Sequence, residues 1–493
     1  MPILIFLAFA GAVYFAMLGD CGLLGPDEPR YAGIGRAMAE SGDWVTPRLS
    51  GEPWFEKPAL SYWMTAAATK AGLKDEWAAR APVAALSLVF LAFYAWALGR
   101  LAGAREAAVA AMMLASSAGW LAYTHVAVTD LPLAAFFVTA LLAGLLRLEG
   151  AGRWAVLVSG GAAGLALLAK GGVAVVLLLP LAWFARKQWK DLALAGAAAV
   201  AVAGPWYAAV TWVNGWSFID VFIIRHHLSR FASEELRHVQ PFWFYLPVTL
   251  GLMFPWTPMA VSLPKPLWGD KWARAAGVSL AFGFAFFSIS TNKLPGYVLP
   301  LLPVYIALLA TAAVRHEHPG RSFGLAGLLL SIVPVAASAL PGAMLYGLGR
   351  AELGALPWQY IAAAAPVAAL AWMLARRGRV VASVAVVSVV MLAGAGFVKL
   401  SAWPVLNEIV TAKGLYRRVH ARQSEVCIES LHRGLRYGLD YYTRTPLPDC
   451  AASPRPVRIT QTPGGLPSVR VWATPTVKPD GASGAGRISG TGH

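Results

Sequence analysis

Residues 26–31 read Pro-Asp-Glu-Pro-Arg-Tyr, and residues 54–58 read Trp-Phe-Glu-Lys-Pro. This charged island begins directly after the first apolar segment of a chain that otherwise avoids charge. Nine of the 25 acidic residues lie between positions 20 and 76. Such crowding indicates a site rather than a connecting loop. The carboxylates beside Arg30 and Lys57 suggest a place where a phosphate or a sugar is handled at a membrane surface.

The composition of the chain is that of a membrane protein. It is 58% hydrophobic and 13% charged, with 20 Trp and a mean hydropathy of +0.57. Apolar runs, many near the length that crosses a bilayer, lie at residues 1–19, 81–99, 106–122, 131–146, 154–169, 173–185, 192–213, 242–263, 275–290, 296–314, 323–345, 357–375 and 380–398. They predict an all-α polytopic protein of about thirteen transmembrane helices. The first run lacks a basic start and a small-residue cleavage site, so we expect it to be retained.

Basic residues alternate between successive loops and so predict an orientation. The basic loops carry Arg100/Arg105, Arg147/Arg153, Arg186/Lys187/Lys190, Lys265/Lys271/Arg274, Arg315/Arg321 and Arg376/Arg377/Arg379. Because Lys and Arg in short loops stay in the cytoplasm, we expect a cytoplasmic N-terminus. Residues 20–80, 214–240 and those beyond about 400 would then lie outside. The net charge of +16, spread over many loops, favours anionic lipid headgroups as partners and argues against nucleic acid.

The outer loop 20–80 is predicted to contain two amphipathic helices that lie in the headgroup layer. The first would use Asp27 as a cap and Pro29 as an early helical residue, and would end at Gly42. The second would cover residues 58–72. Together they would form a shelf on the outer leaflet, with charged residues at the helix starts.

The character of the chain changes beyond Trp403. We predict a transmembrane domain over residues 1–402, a small α/β domain outside the membrane over 403–473, and a disordered tail over 474–493 that is rich in Gly and Ser. Cys427 and Cys450 flank one segment of the small domain. They could form a disulfide in an oxidising compartment or remain separate thiols.

Three further polar segments are predicted at the same membrane face. They are the segment Arg225-His226-His227-Leu228-Ser229-Arg230-Phe231, the corner Asn292-Lys293-Leu294-Pro295-Gly296-Tyr297, and Asp130 at the outer end of a span. An ionisable residue within a membrane is costly and usually functional. With the loop 20–80, these segments offer cations, histidines and carboxylates around one cavity.

Several of these segments resemble motifs of one enzyme family, in order along the chain. The matching stretches are Asp27-Glu28-Pro29-Arg30-Tyr31, Gly42-Asp43-Trp44-Val45-Thr46-Pro47, Phe55-Glu56-Lys57-Pro58, Thr129-Asp130, Ala169-Lys170-Gly171-Gly172, Pro205-Trp206-Tyr207, His226-His227-Leu228-Ser229-Arg230-Phe231, Gln240-Pro241-Phe242-Trp243 and Lys293-Leu294-Pro295-Gly296-Tyr297-Val298-Leu299-Pro300. They resemble bacterial aminoarabinose transferases, which modify lipid A. These are GT-C glycosyltransferases related to the dolichyl-phosphate-mannose protein mannosyltransferases.

The resemblance implies transfer of a sugar, such as 4-amino-4-deoxy-L-arabinose, from a polyprenyl (undecaprenyl) phosphate to lipid A or another envelope acceptor. The enzyme would be a monomer in the bacterial inner membrane, with its active site facing the periplasm. A protein O-mannosyltransferase and a lipid transporter or flippase are the alternatives. Transporters are often built from two related halves, whereas the charged outer loop occurs once here.

The predicted roles follow from the charge that develops on the leaving phosphate. Fixed cations stabilise such charge, and Arg can bind phosphate through two hydrogen bonds. By resemblance the catalytic carboxylates are Asp27 and Asp130, and the donor-binding residues are Lys57, Arg230, Arg30, Tyr31, Lys293 and Tyr297. Glu28 and Tyr62 would contact the acceptor or the sugar. The simpler interpretations are a helix cap for Asp27, lipid-headgroup contacts for the cations and interfacial anchoring for the tyrosines.

A divalent metal ion is the one cofactor that the residue types leave open. Glu56 with His226 and His227 could ligate it, since carboxylate and imidazole suit zinc or manganese. Ordinary hydrogen bonding of the histidines on a wet loop is the alternative. We expect no other cofactor.

Overall fold

The computed structural model describes residues 2–222, 239–261, 267, 269–315, 320–346, 356–462 and 464–471. The helices of the first half are α1 (Pro2–Phe15), α2 (Asp27–Ser41), α3 (Leu60–Lys70), α4 (Asp75–Leu101), α5 (Ala104–Ala115), α6 (Ala118–Thr124), α7 (Asp130–Leu148), α8 (Trp154–Lys170), α9 (Val173–Phe184), α10 (Trp189–Asn214) and α11 (Trp216–Phe218). Those of the second half are α12 (Tyr245–Leu252), α13 (Thr257–Val261), α14 (Lys271–Ile289), α15 (Leu301–Arg315), α16 (Gly320–Leu329), α17 (Val333–Tyr346), α18 (Trp358–Arg376), α19 (Val380–Ile409), α20 (Ala412–Val419) and α21 (Arg433–Thr443).

Each predicted apolar run coincides with a helix or with consecutive helices, which confirms the all-α polytopic fold class. In the described part of the chain, seven helical segments are long and apolar enough to cross a membrane. The bent pair α5–α6, whose axes differ by 61°, would add an eighth. The apolar helices at the remaining predicted runs have 10–17 residues. A count of thirteen crossings therefore stays a prediction.

Small residues allow the helices of the bundle to approach closely. At the contact between α8 and α10, a Cβ added to Gly160 would lie 2.2 Å from the carbonyl oxygen of Ala195. A Cβ on Gly164 would lie 2.7 Å from the carbonyl oxygen of Ala199. Helix association in lipid relies on such close packing because apolar burial between helices gives no driving force there.

The outer loop contains the two predicted helices, α2 and α3, with a short antiparallel pair between them, β1 (Arg48–Leu49) and β2 (Glu52–Pro53). Helix α2 ends as predicted at Gly42, whose φ of 75° is left-handed and whose N–H donates to the carbonyl of Met38. The predicted capping role of Asp27 is wrong. Pro26 precedes the helix, and Asp27 pairs instead with Arg30 one turn later.

The loop packs against the bundle through the segment 42–47. The indole of Trp206 on α10 donates to the carbonyl of Val45 over 3.1 Å. Asn214, at the end of the same helix, donates to the hydroxyl of Thr46 over 2.9 Å. These bonds fix the loop relative to α10.

The chain beyond α19 forms a small α/β unit, as predicted. Strands β3 (Val426–Ile428) and β4 (Val457–Thr460) are parallel and joined through α21, and β5 (Ser468–Val471) is antiparallel to β4. Apolar residues of α20, α21 and the strands form its core. A disulfide joins Cys427 to Cys450. Of the two possibilities for these cysteines, the structure therefore has the disulfide and not two separate thiols. The boundaries 402/403 and 473/474 stay predictions, and the predicted tail lies outside the described residues.

Candidate active site

Four charged residues of the outer loop form a continuous chain of ion pairs. Arg30 pairs with Asp27 on its own helix, and its Nη1 donates to Oε2 of Glu56 over 2.9 Å. Lys57 Nζ lies 3.2 Å from the other oxygen of Glu56. The side chain of Asp27 is 47% exposed, whereas the other three are between 11% and 13% exposed. The predicted site residues Asp27, Arg30, Glu56 and Lys57 are thus brought together, with Asp27 facing the surroundings.

Aromatic rings enclose the guanidinium of Arg30. Its centre lies 5.9 Å from the ring of Tyr31, 5.5 Å from that of Trp54 and 5.3 Å from that of Tyr437 in the C-terminal unit. Burial alone would lower the pKa of Arg30, but Glu56 and Asp27 outweigh it, so the pKa is raised and the charge is kept.

The hydrogen bonds of Arg30 modify its predicted role. Its Nε donates to the carbonyl of Pro26 over 3.1 Å, and its two terminal nitrogens donate to Asp27 and Glu56. Every guanidinium nitrogen therefore has a protein acceptor. We interpret Arg30 as the residue that organises the two carboxylates, and a direct phosphate contact by Arg30 stays a prediction.

Tyr31 and Tyr62 lie beneath the ion pairs rather than in contact with the surroundings. Tyr31 is 3% exposed and Tyr62 is fully buried, and their rings meet edge to face at 5.7 Å. Burial, and then the charge of Glu56, raise the pKa of both hydroxyls, which stay neutral. In this structure the rings form the support of the site, and the predicted ligand contacts of both residues stay predictions.

Glu28 likewise has a structural role, and its predicted contact with acceptor or sugar stays a prediction. It is fully buried and accepts two hydrogen bonds from Arg80, over 2.7 and 2.8 Å. The backbone N–H groups of Leu24 and Ala127 also donate to its carboxylate. With both oxygens occupied by the protein, Glu28 fixes the start of α2 to α4 and to the segment before α7.

Asp130 forms a second charged cluster at the start of α7. Lys170 Nζ donates to its Oδ1 over 2.7 Å and lies 4.8 Å from the centre of the Tyr297 ring. Gly296 allows this approach. A Cβ there would lie 2.6 Å from Asp130 Oδ1 and 2.5 Å from the hydroxyl of Tyr123. Lys170 thus links the two predicted residues Asp130 and Tyr297.

Lys293 donates hydrogen bonds to backbone carbonyls near the corner 292–297. Its side chain is buried, and Nζ donates to the carbonyl of Gln240 over 3.0 Å and to that of Ser290. These bonds tie the corner before Tyr297 to the start of the Phe242–Phe244 turn. Lys293 therefore has a structural role here, and its predicted phosphate contact stays a prediction.

Apolar contacts connect the clusters. Val128, two residues before Asp130, packs with the group that contains Tyr31 and Tyr62. On the other side of the loop, Phe55 meets the ring of Phe218 edge to face at 5.3 Å. Three of the four polar segments expected at one face are thus connected. The fourth segment, with Arg230, His226 and His227, lies outside the described residues.

The metal site stays a prediction. Among the residues that the structure describes, no group of three or more His, Cys, Asp and Glu side chains could hold an ion. Both carboxylate oxygens of Glu56 have cationic neighbours, Arg30 and Lys57. An ion bound by Glu56 would have to compete with these two charges.

Comparisons with known proteins agree with this architecture. The family model of dolichyl-phosphate-mannose-protein mannosyltransferase matches residues 3–228. An undecaprenyl phosphate-alpha-4-amino-4-deoxy-L-arabinose arabinosyl transferase of Pseudomonas aeruginosa is 34% identical over 350 residues, which cover 66% of this chain and 61% of the relative. A transferase with the same name from Aeromonas salmonicida is 30% identical, covering 68% of this chain and 65% of the relative.

Solved structures agree at the level of the fold. ArnT from Cupriavidus metallidurans, crystallised with undecaprenyl phosphate, superposes with a TM-score of 0.72 at 27% identity. The match covers 94% of this chain and 86% of ArnT. The apo form of the same protein gives a TM-score of 0.73. This chain is thus similar in sequence and fold to the aminoarabinosyl transferases. It spans about three fifths of the length of the curated relatives.

Sequence reasoning assigned no site role to three residues that organise this site: Arg80, Lys170 and Tyr437, although Lys170 lies in the Ala169-Lys170-Gly171-Gly172 motif. Arg80 stands at the start of a long apolar run, and Lys170 ends one. A charge in such a position is a signal of function or of a buried partner. Tyr437 gave no comparable signal, because it lies in a different domain of the chain from Arg30.

Proposed function

We propose that this chain is an integral-membrane glycosyltransferase that moves 4-amino-4-deoxy-L-arabinose from undecaprenyl phosphate to lipid A. The chain of ion pairs from Asp27 through Arg30 and Glu56 to Lys57 is the main support for this proposal. This arrangement lies within residues 3–228, which match the family model of dolichyl-phosphate-mannose-protein mannosyltransferase. Undecaprenyl phosphate is the molecule bound to the Cupriavidus relative, which supports a polyprenyl-phosphate donor here.

The proposed reaction is a displacement at the anomeric carbon. An acceptor oxygen forms the new bond, the bond between that carbon and the carrier phosphate breaks, and undecaprenyl phosphate leaves with the electron pair. Negative charge develops on the departing oxygen, and a fixed cation beside it lowers the barrier. Lys57 is the cation that we assign to this position, with Arg230 as its predicted companion.

Asp27 is the residue that we assign to the acceptor. Its carboxylate is the most exposed group of the cluster, and an ion pair with the less exposed Arg30 holds it in place. A hydroxyl acceptor would give its proton to Asp27 as the general base. A phosphate acceptor, with a second pKa of about 6, needs little proton removal, and Asp27 would then orient it or stabilise positive charge on the sugar ring.

Asp130 has a positioning role in this proposal. It holds the ammonium of Lys170 against the face of Tyr297. The pair is neutral overall, but its fixed ammonium group would be available to an anionic donor that enters beside the outer loop. Both clusters would face the periplasm and the N-terminus the cytoplasm of the inner membrane, as the basic loops predict, with the protein acting as a monomer.

The test is reconstitution of the purified chain in liposomes with undecaprenyl-phosphate-linked aminoarabinose and lipid A. Mass spectrometry should find lipid A heavier by one aminoarabinose, with an equal amount of undecaprenyl phosphate released. Absence of both products, under conditions in which the Pseudomonas relative is active, would refute the proposal.

The alternative is transfer of mannose to a Ser or Thr side chain, which the match to the mannosyltransferase family model favours. A parallel reaction with polyprenyl-phosphate-mannose and a Ser/Thr-containing peptide distinguishes the two functions, because only a mannosyltransferase would modify the peptide. A transporter or flippase would move the donor across the bilayer without consuming it, so recovery of intact donor in the opposite leaflet would support that function.

A further inference from the structure

Helix α21 of the C-terminal unit lies along the helix that carries Asp27 and Arg30. Near its start, a Cβ on Gly434 would lie 3.4 Å from the carbonyl carbon of Gly25 and 3.5 Å from the nitrogen of Pro26. One turn later, the ring of Tyr437 lies 5.3 Å from the guanidinium of Arg30. The C-terminal unit thus contacts the first turn of α2, where the ion pairs begin.

The docking of α21 is secured at other positions. Arg36 donates to the carbonyl of Tyr441 over 2.8 Å and stacks on its ring at 4.1 Å. The hydroxyl of Tyr442 donates to Glu76 over 2.7 Å, and Lys413 lies 3.0 Å from the same carboxylate. Because these contacts hold the helix, the ring of Tyr437 is not needed to keep the C-terminal unit in place.

The ring of Tyr437 instead restricts Arg30. In-plane partners of Arg30 are Asp27, Glu56 and a backbone carbonyl, whereas Trp54 and Tyr437 provide ring contacts at 5.5 and 5.3 Å. A guanidinium stacks on aromatic faces and uses its edge for hydrogen bonds at the same time. Removing one ring would let the guanidinium plane of Arg30 rotate. The carboxylates of Asp27 and Glu56 would then lose their fixed geometry.

We propose that Tyr437 is a positioning residue of the transfer site, so that the C-terminal unit completes the Arg30 environment. This inference rests on the proposed function. Tyr437 acts through Arg30 on Asp27 and Glu56 and does not itself touch the reacting atoms. The disulfide between Cys427 and Cys450 joins the ends of the segment that contains α21, so it helps to keep the ring in position.

The experiment compares Tyr437→Ala with Tyr437→Phe in the full-length, liposome-reconstituted protein. Loss of the ring should lower kcat about tenfold, as expected for one desolvated cation–π contact, while KM for the donor changes less than twofold. Tyr437→Phe keeps the ring and should stay within twofold of wild type. Wild-type kcat in Tyr437→Ala would overturn the proposal, and so would an equal loss in both variants.

The matched control is Arg436→Ala in the same helix. Arg436 pairs with Asp449 within the C-terminal unit, so its removal shortens a neighbouring long side chain without touching Arg30. It should leave kcat unchanged. A loss equal to that of Tyr437→Ala would show a general effect of disturbing α21 and would overturn the specific role of the ring.

A second measurement does not depend on transfer activity. Gly434 lies against Pro26, so the double variant Pro26→Cys/Gly434→Cys should form an internal disulfide in native membranes, detectable by peptide mass mapping. Absence of this cross-link would overturn the docking and the inference with it. If the cross-link forms but the wild type transfers no sugar, it is the proposed function that fails, and with it the assigned role of Tyr437.

Discussion

Arg80 and Glu28 form a fully buried, two-bonded ion pair. Arg80 Nε donates to one oxygen of Glu28 over 2.7 Å, and Nη2 donates to the other over 2.8 Å. The remaining guanidinium hydrogens reach the carbonyls of Leu18, Cys21 and Gly22. The pair therefore joins the end of the first apolar segment, α2 and α4. It holds the helix that carries Asp27 and Arg30 in a fixed relation to the bundle.

Replacing Glu28 by Ala should destabilise the protein severely. The substitution leaves Arg80 charged and buried without its carboxylate, which typically costs about 3–5 kcal/mol. Denaturant unfolding of the detergent-solubilised protein measures the change. Glu40→Ala is the control, because Glu40 lies on the same helix but is 56% exposed, and its removal should change stability by under about 0.5 kcal/mol. Equal stability of the two variants would contradict the structural role of Glu28.

Asp27→Asn should reduce transfer by about 10²- to 10⁴-fold, the usual contribution of general acid–base catalysis. The amide keeps the shape of the side chain but can neither accept a proton nor pair with Arg30 as a charge. Initial rates of lipid A modification measure the effect, and protease resistance of the reconstituted protein reports on folding. Glu40→Gln removes a charge from the same helix and should keep wild-type rates. Full turnover by Asp27→Asn would remove Asp27 from the mechanism.

Lys57→Ala tests the cation assigned to the leaving phosphate. Removing one group that stabilises transition-state charge costs about 10²- to 10³-fold in kcat, and we expect a loss of this size. Single-turnover rates with saturating donor separate the chemical step from donor binding. Lys70→Ala is the control, since Lys70 is an exposed lysine at the end of α3. A fall in donor affinity with an unchanged single-turnover rate would assign Lys57 to binding alone.

Much of the fold could be predicted because it depends on local patterns. Apolar runs predict helices wherever the bilayer is the solvent, and every run coincides with a helix. Gly42 ended α2 as predicted, because the left-handed conformation of its backbone suits glycine. The small α/β unit predicted beyond Trp403 is present and contains strands β3 and β4.

The roles within the site were harder to predict because they depend on distant partners. Asp27 and Glu28 are adjacent acidic residues, and no local pattern reveals that one is half-exposed and the other fully buried. The difference arises from Arg80, 52 residues further along the chain. Lys57 and Lys293 each stand beside a proline-containing motif, yet one borders a carboxylate and the other binds backbone carbonyls. Only the three-dimensional structure distinguishes them.

Gly296→Ala should disrupt the Asp130 cluster. The added methyl group would lie 2.6 Å from Asp130 Oδ1 and 2.5 Å from the Tyr123 hydroxyl, so the pair with Lys170 would have to move. Overpacking of this kind costs about 1–3 kcal/mol, and we expect transfer to fall with it. Gly277→Ala is the control, because a Cβ there meets nothing within 4 Å. Wild-type activity and stability of Gly296→Ala would contradict the tight packing seen around Asp130.

Asp440 on α21 should make the stability of the protein depend on pH. Burial, only partly offset by Arg436, raises the pKa of this carboxyl to about 6 from its ordinary value of 3.8. The folded protein therefore binds a proton that the unfolded chain has already lost between these two values. The free energy of unfolding should therefore fall as the pH rises from about 4 to about 6. Above pH 6 the buried carboxyl is ionised, and its full destabilising effect should be present.

Asp440→Asn removes the ionisable group and should stabilise the protein at pH 7. We expect a gain of about 1–2 kcal/mol, which is less than the full pKa shift implies because the carboxylate is partly exposed. The gain should shrink as the pH falls from 6 to 4, where the wild-type carboxyl is protonated. Thermal unfolding of both proteins at pH 4, 5, 6 and 7 measures it. A stability difference that stays constant over this range would show that the Asp440 carboxylate is not destabilised by its surroundings.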